Sequence, residues 1–182
     1  MRRVISAVPR VILCFAWLSQ PASAQGRQRP ADLRQEFQAS LTAMPDAATL
    51  AVRGRVYVAA YSSIRTGNRQ TRIDLSTTLS IHNTSDHKPL VIEKIDYFNT
   101  AGTLIERYLD APVAIRPYGT IEVFIAADDN RGGTGANFVV SWASAGPIAE
   151  PLVETVMIGT VGNTSYSFVS QGRTISTAGD GR

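Results

Sequence analysis

Residues 128–142 read DDNRGGTGANFVVSW: two adjacent carboxylates, an arginine and three glycines running into an apolar segment that ends in Trp142. That composition invites two chemistries. Glycine-rich loops cradle phosphates with backbone N–H groups, and Asp128, Asp129 and Asn130 offer hard oxygens to a cation. The first chemistry needs a helix directly after the loop, aiming N–H groups and a partial positive charge at the anion. Here the next residues are NFVVSW, a β-rich run, and the loop holds no lysine. Calcium needs roughly six to eight oxygens, well beyond these three side chains. The acids are adjacent rather than alternate, no Glu follows before Glu150, and Arg131 would repel a cation. What fits is a wide ordered loop between strands, with Gly132, Gly133 and Gly135 at positive φ, Asn137 bonding the loop's own backbone and Asp128 or Asp129 paired with Arg131. Asp128, Asp129, Arg131, Gly132, Gly133, Gly135 and Asn137 therefore form the candidate binding loop, with nearby tyrosines.

Other reactive side chains are sparse. His82 and His87 are the only histidines; with Asp86 they would make a weak metal site, and two solvated turn histidines fit better. Serines and threonines abound, but no G-x-S-x-G elbow or triad context accompanies them. Glu93 could meet Asp96, Glu106 or Glu122 in space for carboxylate-dependent hydrolysis of envelope carbohydrate or peptide; solvated strand faces are the simpler expectation. Asn83-Thr84-Ser85 and Asn163-Thr164-Ser165 match the glycosylation pattern, which carries little weight in a bacterial chain. No catalytic residue, metal site or cofactor is expected.

The elements that must position the loop begin after a leader. Arg2, Arg3 and Arg10 precede an apolar run, Val11–Leu18, and then Ala22-Ser23-Ala24. Those are the parts of a cleavable signal peptide over residues 1–24, and the run is too short to span a membrane. Export to the periplasm or beyond is expected, with no transmembrane anchor after cleavage. The single cysteine, Cys14, would leave with the leader. Of eighteen basic and fifteen acidic residues, three arginines would leave too, so the balance becomes even and nothing points to nucleic acid. Residues 25–52 read as a linker with a short helix, Ala31–Leu41, where Leu33, Phe37 and Leu41 recur every four residues.

From Arg55 the period changes to two. Val56, Val58 and Ala60 alternate with Tyr57, Ala59 and Tyr61, and Leu75, Thr77, Leu79 and Ile81 alternate with polar residues. The NTAG of residues 99–102 joins two such runs as a hairpin. About eight short strands with turn signals between them predict an immunoglobulin-like antiparallel β-sandwich over residues 53–175, with a flexible tail, 176–182. Most aromatics should be core; tyrosines are the ones suited to line a groove, because their hydroxyls need water or a partner.

The segments VYVAAYSSI, LSTTLSIHNTS, IDYFNTAGTLIERYL, GGTGANFVVSW and ETVMIGTVGNTSYSFVSQG together resemble the secreted bacterial family known as domain of unknown function 3124. The likeness spans residues 53–175 and implies a single all-β secreted domain with no assigned activity. Residues and resemblance together lead to a non-catalytic binding or structural module of the cell envelope, with an envelope protein or glycan as partner. They prescribe no oligomeric state.

Overall fold

The computed structural model describes residues 30–68 and 70–178; the signal peptide expected over residues 1–24 lies outside them. Helix α1 (Pro30–Glu36) is followed by thirteen strands. They are β1 (Leu41–Thr42), β2 (Val52–Ala59), β3 (Ser63–Thr66), β4 (Thr71–Asp74), β5 (Ser76–His82), β6 (Leu90–Phe98) and β7 (Leu104–Arg107). The rest are β8 (Val113–Ile115), β9 (Thr120–Ile125), β10 (Asn137–Ser144), β11 (Leu152–Val161), β12 (Thr164–Gln171) and β13 (Arg173–Ala178). One sheet has the order β1-β8-β6-β10-β2-β13 with β7 beside β6; the other runs β12-β11-β5-β9, and β3 and β4 form a separate hairpin. All pairings are antiparallel. The protein is an all-β sandwich. Among the described residues no helix is long and apolar enough to cross a membrane.

The inward faces follow from alternation. Along β2, Val52, Val56 and Val58 are buried while Arg53, Arg55 and Tyr57 are exposed. On β5, Leu79 and Ile81 point into the core. Trp142, Tyr97 and Phe138 are its largest fully buried side chains, and each such burial stabilises the fold by about 1.5–3 kcal/mol. Gly54 sits against the indole: a Cβ there would lie 2.5 Å from Trp142. A side chain at position 54 would displace the central aromatic of the core.

Residues 30–50 join this core. Leu33 is fully buried, and Phe37 and Leu41 pack against the same cluster. The helix ends at Glu36, sooner than the four-residue spacing suggests, because the chain turns through Gln38–Ser40 so that Leu41 can pair with Ile115. At the other end Gly172 alone separates β12, in one sheet, from β13, in the other. Val56 Cγ1 and the Val153 carbonyl oxygen would lie 2.6 and 2.7 Å from a Cβ at Gly172. Glycine lets a single stretch of chain close this corner of the sandwich.

Candidate functional site

The glycine loop runs from the end of β9 to the start of β10, and its contacts come from two distant parts of the chain. Thr100, in the β6–β7 turn, donates its backbone N–H to the Gly132 carbonyl at 2.9 Å. Its hydroxyl donates to the same carbonyl at 3.0 Å and accepts from the Gly135 N–H at 2.9 Å. Ser62, after β2, donates its N–H to the Gly133 carbonyl, and the Ala60 N–H bonds the Ala136 carbonyl. Ser62 Oγ also lies 2.8 Å from the buried Tyr97 hydroxyl. These bonds close the loop onto the hairpin and onto the end of β2.

The three glycines do different things. Gly133 alone among them has positive φ, +75°, which L-residues adopt at a cost. Gly132 has φ −71° and is required for a different reason: a Cβ would fall 2.1 Å from the Tyr97 hydroxyl and 2.6 Å from Ser62 Oγ. Gly135 faces Thr100 at 3.1 Å or more. The expectation of positive φ at all three is therefore corrected. Two of them are there for close approach, and Gly133–Gly135 form one turn of 3₁₀ helix. Asn137 is also corrected from loop to strand, since it opens β10 opposite Ala59 and Phe98.

The loop's charges are joined to one another. Arg131 makes a forked pair with Asp129, Nε to Oδ1 at 2.8 Å and Nη2 to Oδ2 at 2.7 Å, and reaches Glu106 Oε2 at 3.3 Å. Hydrogen bonding to Asp129 raises the guanidinium pKa further above its ordinary value, against some loss from burial. Asp129 retains 10% side-chain exposure, so its carboxylate faces Arg131 more than solvent. Asp128 is exposed. Burial raises the pKa values of the Tyr97 and Tyr108 phenols, which lie beneath. The loop also presents Asn130 and Thr134 outward, Thr134 on the rim of a shallow cavity of about 330 Å³ shared with Tyr61, Ser63, Ile64 and Arg65.

The remaining candidates are dispersed. His82 Nδ1 lies 2.8 Å from Thr120 Oγ1 on the neighbouring strand, whereas His87 pairs with Asp86 in an exposed turn. That hydrogen bond lowers the Asp86 pKa. Among the described residues no group of three or more His, Cys, Asp or Glu could hold a metal. Glu93 pairs with Arg53, Glu106 with Arg131 and Asp96 with Arg107, while Glu122 accepts from Ser80. Asn83 is buried; its amide donates to the Lys88, Ile115 and Arg116 carbonyls and its oxygen accepts from the Ser85 N–H. It organises a turn and offers no exposed glycan acceptor. The tyrosines do not converge either: Tyr97 and Tyr108 are core, while Tyr57, Tyr118 and Tyr166 are exposed on separate elements.

A cluster of a different kind lies on the outer face of the seven-stranded sheet. Strand register sets two rows across it. One row is Ser176, Arg55, Ser141 and Lys94; the next is Arg173, Tyr57, Val139, Asp96 and Arg107. Arg53 lies beside the first row and pairs with Glu93 at 3.3 Å. Arg107 and Asp96 form a longer pair at 3.6 Å. Arg55, Lys94 and Arg173 are exposed and make no ion pair among the described residues, and Tyr57, 40% exposed, stands between Arg173 and Val139. Neighbouring strands lie about 4.8 Å apart, so Arg55 and Lys94, two strands apart, are about 10 Å from each other. Sequence reasoning missed this cluster although half its signal was present: Arg53, Arg55 and Tyr57 alternate along β2. Lys94 and Arg173 join only through strand pairing.

A family model described as "Protein of unknown function (DUF3124)" matches residues 53–175. No curated protein matches the chain. The crystal structure of Thermotoga maritima 1070 is similar at 12% identity and TM-score 0.40, over 66% of this chain and 92% of that one. A likeness that loose carries no argument about this chain.

Proposed function

The chain belongs to the DUF3124 family, and from that premise we propose that it is a non-catalytic binding module of the bacterial cell envelope, taking an anionic glycan on the outer face of its larger sheet. One observation carries this reading: Arg55, Lys94 and Arg173, which make no ion pair among the described residues, sit with exposed Tyr57 on one face of the sheet. Unpaired cations attract acid groups along a polymer, and a tyrosine face adds apolar contact to a sugar ring while its hydroxyl stays hydrated. The leader at residues 1–24 supports the compartment. The glycine loop supports the fold beneath and does not itself hold the ligand, because its arginine and Asp129 already bind each other.

The test is binding of the purified protein to immobilised heparin, used as a generic acidic polysaccharide, across a salt series. Retention should weaken steadily as salt screens the exposed charges. The triple variant Arg55→Glu/Lys94→Glu/Arg173→Glu should lose at least about tenfold in affinity, or about 1.4 kcal/mol, with an unchanged far-UV spectrum. Equal retention of wild type and variant, or retention indifferent to salt, would refute the reading.

A further inference from the structure

The edge of the smaller sheet is unprotected. Among the described residues strand β12 has one partner, β11, and ends the sheet order. Its eight residues, TSYSFVSQ, include no charged residue and no proline, and its pairing with β11 is in register from Glu154–Gln171 to Val161–Thr164 without a bulge. Long edges are normally blunted by charge, proline, bulges or cover, since they present a row of free N–H and C=O groups to any passing strand. The other edge of this sheet, β9, carries Glu122. In the larger sheet the edges are the two-residue β1 and β13, which carries Arg173 and a register shift.

Which groups are free follows from the ladder. The Gly172 N–H bonds the Val153 carbonyl at 2.7 Å, and antiparallel pairs alternate between bonded and non-bonded positions. The backbone groups of Ser170, Phe168 and Tyr166 therefore point to β11, and those of Ser165, Ser167, Val169 and Gln171 point away from it. Val169 is 54% exposed and Ile158, on β11, is 50% exposed.

We propose that β12 is a strand-addition site whose occupant is β12 of a second copy of this chain, paired antiparallel about a two-fold axis near Phe168. In that register Ser165 faces Gln171 of the other copy and Ser167 faces Val169, giving about eight inter-chain hydrogen bonds. The strand is self-complementary because it is uncharged, so pairing it with its own copy sets no like charges opposite each other. On the outer face, register continues the row Val156, Val169 of one copy into Ser167, Ile158 of the other. The most exposed apolar side chains of the two smaller sheets, Val169 and Ile158 of each copy, would then lie in one continuous band. Two four-stranded sheets become one of eight strands, with an isologous interface of the kind most homodimers use.

The experiment is sedimentation equilibrium on protein expressed from the full sequence, with thermal unfolding as the check on folding. Wild type should show twice the monomer mass. Ser167→Pro removes one outward N–H and leaves the β11 ladder intact, a position where edge strands tolerate proline. It should sediment as monomer, or dimerise at least about tenfold more weakly, with little change in melting temperature. Ser167→Lys serves as the second variant should the proline one not fold, with the same expected loss. A monomeric wild type would overturn the proposal, leaving a segment of the same chain or a different partner as the occupant. A dimer that survives both variants would place the contact elsewhere and overturn it equally.

Discussion

Replacing Gly132 with alanine adds one methyl group 2.1 Å from the Tyr97 hydroxyl, 2.6 Å from Ser62 Oγ and 2.6 Å from the Ala136 Cβ. Neither the phenol nor the loop can yield easily. Tyr97 is fully buried and packed on Phe138, with ring centroids 4.9 Å apart, and the loop is tied to Thr100 and Ser62. Overpacking of this kind costs about 1–3 kcal/mol. Moving Tyr97 or Ser62 breaks a hydrogen bond between two buried groups, about 1–3 kcal/mol more. The expected loss is about 2–6 kcal/mol, read as a lower urea midpoint at unchanged slope. Gly133→Ala meets positive φ and the Thr100 hydroxyl at 2.7 Å, and should cost about 1–2 kcal/mol. Gly135→Ala meets the Thr100 methyl at 3.1 Å, and should cost less than about 1 kcal/mol. The order 132, 133, 135 is the signature of close packing. Equal small losses at all three positions would mean instead that the glycines provide only chain freedom.

Two further outcomes follow from the same contacts. Thr100→Val keeps the shape but removes the hydroxyl that bonds Gly132 and Gly135; it should lower stability by about 0.5–1.5 kcal/mol, and Thr100→Ser should recover most of it in the same denaturation assay. Alkaline pH should also unfold the protein. Burial raises the pKa values of the Tyr97 and Tyr108 phenols above the ordinary tyrosine value, so the folded chain keeps protons that the unfolded chain releases near about pH 10. Stability should hold below about pH 9 and fall as pH rises past 10. Tyr108→Phe should flatten that fall in urea midpoints measured against pH.

Much of the fold is legible in residue order because its determinants are local. The alternation of Val56, Val58 and Tyr57 announces β2, and residues 99–102 announce the β6–β7 hairpin, which is present with its turn bonded from the Asn99 side chain to Thr103. Leu33 shows the limit of that reading: its period marks a helix, but nothing in the lead segment says that its side chain ends inside the sandwich. The glycine loop shows it again. Glycine content identifies a turn, while the reason for Gly132 lies with Ser62 and Tyr97, brought there by two other strands. Likewise the Arg131–Asp129 pair is visible over two residues, and Glu106 joins it only through the hairpin. The basic face needs the register of β13, β2, β10 and β6 together.

The loop of residues 128–137 is a fixed part of the frame rather than a mobile cradle. Native-state hydrogen exchange at the Ser62, Thr100 and Gly135 amides tests it most directly, since each donates into or from that loop. All three should exchange only with the slow core amides of β2 and β10, at an opening free energy near that of global unfolding. Exchange of these amides at nearly the rate of free peptide, with the strands still protected, would contradict it.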